Sequence, residues 1–275
     1  MQIWKTKKIG LLAKLGILLL SIFIIFAIFG PMILPRDFSE MDTAQRLMPP
    51  GETYILGSDE FGRDILVRTL YGLRTTLQIS IMSAVLAFFA GTFLGLMSGY
   101  FGSIIDSILM RIMDILLSFP VMLIAILFVT VLGPGKINLT VAITIAFIPT
   151  IARMARGVTL SVKQASFVEV AKLYGAPNIK IMVNHIIPNI LGPIIVITTL
   201  NVGTSVLMES ALSFLGLGVR PPVPSLGLMI SDGRSFIETA PWIIMVPGIT
   251  LTLLIITFNL IGDGLRDIVD PINKN

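Results

Sequence analysis

The chain has 275 residues, 55% of them hydrophobic and only 13% charged, with a mean hydropathy of +0.92; ordinary soluble domains carry roughly 25% charged residues. A formal charge of +4, one histidine and no cysteine exclude disulfide frameworks, thiol nucleophiles and Cys metal clusters, and leave little for His-based acid–base or metal chemistry. Apolar residues come in blocks able to cross a hydrocarbon core of about 30 Å, so the composition describes an integral membrane protein with no nucleic-acid role.

In chain order, apolar runs place helices at about 10–31, 77–99, 104–133, 137–158, 187–215 and 241–262. Continuous runs, rather than short alternating segments, exclude a barrel. The first run follows a basic start, but it is long, lacks a small-x-small cleavage site and precedes further spans, so it reads as a retained span. Pro120, Pro149, Pro193 and Pro247 fall within or near spans, where neighbouring helices tolerate a kink.

The fold class predicted is all-α, a polytopic membrane protein with six transmembrane helices. With the N-terminus inside, twelve of the twenty Lys and Arg residues are cytoplasmic, Lys5, Lys7, Lys8, Lys14 and Lys274 among them. Five of the other eight sit in the long segment after the first span, beside seven acidic residues. Both termini are thus expected in the cytoplasm. The organisation predicted is a tail and first span at 1–31, an extracytoplasmic segment at 32–76, a five-helix core at 77–262 and a cytoplasmic tail at 263–275. Two short helices at about 164–186 interrupt the core.

Asp106, Arg111 and Asp114 open the third span, where mutual pairing near the cytoplasmic boundary is expected. The segment before the second span, LGSDEFGRDILVRTLYGLR, offers Asp64–Arg68 at i,i+4 and Glu60–Arg63 at i,i+3 on a helix capped by Ser58 or Asp59. Asp59, Arg63, Asp64 and Arg68 are candidates for outer-face packing, the alternative being a solvated surface helix. Glu209, with Ser210 and Ser213, follows a long uncharged stretch of the fifth span. It is a candidate for the path or a partner-facing surface, the alternative being a structural pair with an arginine. Pro221, Pro222 and Pro224 predict a stiff extended outer loop.

Between the fourth and fifth runs lies EVAKLYGAPNIKIMVNHIIPN, Glu169 to Asn189. Ser166 and Glu169 spell S-x-x-E, a capping box that would open a helix at Phe167. Gly175 would end it and Pro177 would begin a second helix. Two short amphipathic helices on the inner side either rest at the lipid interface or dock a soluble partner.

The order of residues here resembles a family signature. Glu169, Ala171, Gly175, His185 and Pro188 match E-A-A-(x3)-G-(x9)-H-x-x-P, with Val170 at the middle position. That signature belongs to inner-membrane permease subunits of binding-protein-dependent ABC importers. Four more stretches resemble the peptide and nickel branch, in particular the shorter of its paired subunits: LGSDEFGRDILVRTLYGLRTTL, SGYFGSIIDSILMRIMDILLSFP, ESALSFLGLGVRPPVPSLG and FNLIGDGLRDIVDP. Ser58 replaces a threonine of the pattern, and Leu226 stands where tryptophan is common.

The resemblance implies the type I importer permease fold and ATPase coupling through Glu169, Ala171, Gly175, His185 and Pro188. It also implies a second homologous permease in a heterodimer, two ATPase subunits that use ATP and Mg, an extracytoplasmic binding protein, and no cofactor on this chain. Transport of di- or oligopeptides is the expected function, with nickel or metal chelates as the alternative. Composition alone also permits an ion-coupled secondary transporter or channel. An enzyme is disfavoured because HExxH and GxSxG are missing, and LGPGKIN lacks the Ser or Thr and the first glycine of a phosphate loop. His185 reads as an interfacial scaffold residue, since a single histidine supplies no coordination set.

Overall fold

The computed structural model describes residues 10–34 and 36–269; Lys5, Lys7, Lys8, Pro271 and Lys274 lie outside the described residues. The helices are α1 (Leu11–Ile33), α2 (Ile65–Phe101), α3 (Ser103–Leu117), α4 (Val121–Leu132), α5 (Lys136–Lys163), α6 (Ser166–Leu173), α7 (Asn178–Ile181), α8 (Ile187–Phe214), α9 (Leu226–Gly233) and α10 (Trp242–Val269). Among the described residues the only extended pairing is an isolated bridge between Ser58 and Asp64. Five helical units are long and apolar enough to cross a membrane: α1, α2, α5, the continuous unit from Asn178 to Phe214, and α10.

The third apolar run is not one helix. It divides into α3 and α4, bent by 93°, and the pair makes a sixth crossing only if the two are taken together. Pro120 explains the break, because it lacks a backbone donor and drives the preceding Phe119 out of helical geometry. At the other end of α3, Gly102 at φ +66° turns the chain sharply out of α2.

Helix α2 starts at Ile65, well before the apolar run at 77. Asp64 caps it, accepting from the backbone N–H groups of Leu66 at 2.8 Å and Val67 at 3.3 Å. A reading by hydropathy stops at Arg74 and Arg68, yet the first turns remain helical, because Asp64 caps them and the loop before them buries Arg68, while Arg74 stays exposed. The segment 32–76 therefore contains three turns of α2 in addition to loop.

Helix α2 presents Ser83, Ala87, Gly91, Gly95 and Gly99 at every fourth position, all buried. A Cβ at Gly91 would lie 2.7 Å from the Ile151 Cβ, and one at Gly99 would lie 2.8 Å from the Thr159 Cβ. This stripe lets α5 approach almost backbone to backbone, which is how membrane helices gain packing where no hydrophobic force separates protein from lipid. The C-terminal halves of α2 and α5 are thereby fixed side by side, and α5 leads directly into α6. On the opposite flank, α1 packs on α10 through Gly16, where a Cβ would meet Ile261 and Leu260.

Helix α9 escapes a reading by apolar length, because eight residues are too few to span. Its signal is Ser225, whose hydroxyl accepts from the Leu228 N–H at 3.3 Å as an N-cap. Together with the loop before α2, α9 closes the end of the bundle away from α6, around Ile65, Met229, Ala240 and Ile243.

Candidate functional site

One end of the bundle is built from α6, a glycine turn and α7. Helix α6 begins at Ser166, but its N-cap is Ala165, with no side-chain cap. The capping box does not form, because the Ala165 carbonyl already takes the Val168 and Glu169 N–H groups at 2.9 and 3.2 Å. Glu169 is left exposed on the outer side of the helix.

The helix ends as the sequence predicts. Gly175 has φ +73°, its N–H donates to the Lys172 carbonyl at 2.9 Å, and the Ala176 N–H donates to the Ala171 carbonyl at 3.1 Å. These two bonds define a Schellman turn, which requires the left-handed conformation at Gly175.

Beyond Pro177, α7 does not stop as a separate short helix. It passes through a π-helical turn at Met182–Ile186 straight into α8, giving one unit from Asn178 to Phe214. The second half of the elbow is therefore the extension of a span. No proline or glycine interrupts residues 178–187, and the π turn adds a residue without a break. His185 lies in that π turn, half-buried, its ring 6.4 Å from Phe167.

Of the five residues singled out by sequence, Glu169, Gly175 and Pro188 are exposed, while Ala171 and His185 are half-buried toward the bundle. Val168 and Ile181 are fully buried and anchor the two arms. The apolar side chains left facing solvent are Leu173 and Tyr174, 81% and 88% exposed, with Ile179, Val183 and Val170 beside them. Such a cluster on one protruding turn has the character of an interaction site.

The elbow is tied to the bundle through Tyr100. Its hydroxyl donates to Asn178 Oδ1 at 2.7 Å, its carbonyl accepts from Lys163 Nζ at 2.5 Å, and the Lys163 and Lys172 ammonium groups stand 5.6 and 5.9 Å from its ring centre. Sequence reasoning passed over Tyr100, Lys163 and Asn178. The tyrosine sits inside the quoted G-Y-F-G, but no local spacing rule connects α2 to a residue far along the chain.

The acidic residues of α3 pair with α5, not with Arg111. Asp106 takes a two-pronged contact from Arg156, Nε to Oδ1 and Nη2 to Oδ2, both at 2.6 Å, and also accepts from Ser98. Asp114 pairs with Arg153 at 2.5 Å in a largely exposed contact. The helix–helix crossing decides the partners: α5 brings its own arginines to the α3 face where Asp106 and Asp114 lie.

At the opposite end, the expected i,i+4 pair Asp64–Arg68 is absent, because Asp64 caps α2 and pairs with Arg36 at 3.2 Å. Asp59 takes its place. It receives Arg63 at 2.6 Å and Arg68 at 3.3 Å, and all three are buried. Glu60–Arg63 does form, at 3.4 Å. Burial of Arg63 and Arg68 is incompatible with a solvated surface helix. Glu60 and Asp232 share the same cleft, and burial pushes both carboxyls above the usual carboxylate range.

Glu209 is wholly enclosed by the chain, and Ser210 and Ser213 are nearly so. This arrangement supports neither the path-facing nor the arginine-paired reading. The carboxylate accepts from Ser213 Oγ at 2.8 Å and Ser210 Oγ at 3.3 Å, beside the point where Gly227 of α9 meets the Ser210 backbone. Close approach of α9 covers it, which no reading of α8 alone reveals. Glu209→Gln, which keeps an acceptor for these hydroxyls, is expected to retain transport and assembly. Glu209→Leu should lower stability by roughly 1–3 kcal/mol by stranding buried donors; thermal unfolding in detergent measures the difference.

Residues 91–274 match the family model "Binding-protein-dependent transport system inner membrane component", and residues 11–50 match the N-terminal TM domain of oligopeptide transport permease C. A dipeptide transport system permease protein from Alkalihalophilus pseudofirmus is 42% identical, covering 100% of this chain and 90% of that protein. A di/tripeptide transport system permease protein from Pseudomonas aeruginosa is 39% identical, covering 95% and 88%. The inward-facing MetNI methionine ABC transporter contains a chain that superposes with a TM-score of 0.59 at 20% identity, covering 75% of this chain and 97% of that one; this likeness establishes the type I importer permease fold. Together with the helical membrane architecture, these matches place the chain in the family of inner-membrane permease components of binding-protein-dependent transport systems.

Proposed function

We propose that this chain is one permease half of an ATP-driven importer of di- or oligopeptides, and that the α6–Gly175–α7 elbow is its contact with a separate ATPase subunit. In this reading a second homologous permease completes the translocation path, two ATPases hold the ATP and Mg, and an extracytoplasmic binding protein delivers the substrate. Both termini and the elbow then face the cytoplasm. Glu169, Ala171, Gly175, His185 and Pro188 form or support the contact. Peptides are favoured over nickel because the similar permeases cited above are named for dipeptide and di/tripeptide transport.

The observation that carries the coupling reading is the elbow itself. Leu173 and Tyr174 protrude from a turn whose shape is set by Gly175, while its two arms are anchored at Val168 and Ile181. A push on this turn is transmitted along two routes. One is the unbroken helical unit from Asn178 through α8, and the other is the Asn178–Tyr100 bond into α2. Alternating access needs such rigid levers on a bistable bundle and no catalytic side chain.

A cysteine at Leu173 tests the contact. In membranes holding the assembled transporter, Leu173→Cys should cross-link to the ATPase, with a yield that changes when ATP is added; absence of any ATPase adduct would refute the docking surface. Uptake of a labelled dipeptide, competed by unlabelled peptide but not by nickel, tests the substrate class.

A further inference from the structure

Helix α2 marks both membrane boundaries. Its 37 residues extend about 55 Å at 1.5 Å per residue, against a hydrocarbon core of about 30 Å. Polar contacts show where it emerges. Gln78 accepts from Lys136 Nζ at the first residue of α5, and Ser98 donates to the Asp106 carboxylate that holds Arg156. Gln78 and Ser98 are separated by about 30 Å of helix, so the two contacts stand at opposite headgroup levels. Arg74, one turn above Gln78, and Lys136 share the level away from the elbow.

Below these two cations a groove of about 770 Å³ opens between α1, α2 and α5, with Ile24, Ile28, Ile81, Met82 and Val141 on its walls. Its volume lies within the roughly 300–1,000 Å³ of small-molecule sites. Arg74 and Lys136 are both exposed, and among the described residues neither has an ion-pair partner. The N-terminus of α5, whose cap Gly135 contributes no side chain, adds positive potential at the same level.

We propose that this groove holds one anionic phospholipid, its phosphate between Arg74 and Lys136 and an acyl chain along Ile81, Met82 and Val141. An apolar trough topped by two uncompensated cations at headgroup depth matches the amphipathic profile of that molecule. Among the described residues that line the groove there is no carboxylate to receive the ammonium of a zwitterionic lipid, which favours a net negative headgroup. The inference rests on membrane embedding and is independent of the transported substrate.

The test uses the full chain purified in mild detergent with its accompanying subunits, and native mass spectrometry with added phosphatidylglycerol, phosphatidylethanolamine or phosphatidylcholine. Phosphatidylglycerol should bind most tightly. Each of Arg74→Gln and Lys136→Gln should weaken it about fivefold, and the double variant about thirtyfold. Val141→Trp, which fills the trough and leaves the cations in place, should also lower occupancy. Equal binding of the three lipids, or unchanged binding in the double variant, would overturn the site. So would efficient cross-linking of Met82→Cys to a second permease chain, which would show that protein fills the groove.

Discussion

In vesicles carrying the assembled transporter, Gly175→Val is expected to leave ATPase subunits bound and hydrolysing ATP while peptide uptake falls between about fivefold and a hundredfold. The reason is conformational. Gly175 sits at φ +73° with open space where a Cβ would point, so a side chain meets no neighbour and the strain is in the backbone. A β-branched residue there costs on the order of 1–3 kcal/mol, which shifts the population of the correctly shaped elbow by that factor. Gly175→Asn is the control. Asparagine is of similar bulk but tolerates the left-handed region, so it should restore most of the uptake. Equal loss in both variants would attribute the effect to surface bulk at the ATPase contact and not to the turn.

Asp59→Ala should be the most destabilising single change at the opposite end. Asp59 Oδ1 accepts the backbone N–H groups of Phe61 at 2.9 Å and Arg63 at 3.0 Å, while Oδ2 receives the Arg63 and Arg68 side chains. Truncation leaves two buried guanidinium groups facing each other without the anion between them. Removing one partner of a buried pair costs roughly 3–5 kcal/mol, a large fraction of the stability of a typical domain. The expected result is loss of folded protein in detergent and ready proteolysis of the segment between α1 and α2. By contrast, Asp59→Glu keeps the charge and should recover part of the stability. A wild-type melting profile for Asp59→Ala would show that Arg63 and Arg68 are compensated elsewhere.

The two ends of the molecule differ in how far local sequence accounts for them. The elbow was legible because its signals are local: Gly175 ends one helix and Pro177 starts the next within a few residues. Even there, the Ser166 capping box failed, since a neighbouring carbonyl took the same donors, and α7 ran on into α8 because nothing in the sequence stopped it. The Asp59 cluster was only half legible. Its residues were singled out, but helical spacing assigned Arg68 to Asp64, whereas the loop fold gave Arg68 to Asp59 and Asp64 to the helix cap and Arg36.

The class, the approximate number of crossings, the elbow and the family signature are all legible in the amino-acid order, because hydropathic length and turn chemistry act over short stretches of chain. The bend at Pro120, the helical status of α9, the partners of Asp106 and Asp114, the enclosure of Glu209 and the anchoring of the elbow by Tyr100 emerge only from packing. Each of those depends on which helices approach one another, and the small-residue stripe of α2 against α5 sets that approach. Contacts between residues 50 to 80 positions apart, such as Asp106–Arg156 and Tyr100–Asn178, have no local signature, since the geometry joining them exists only once the helices are packed.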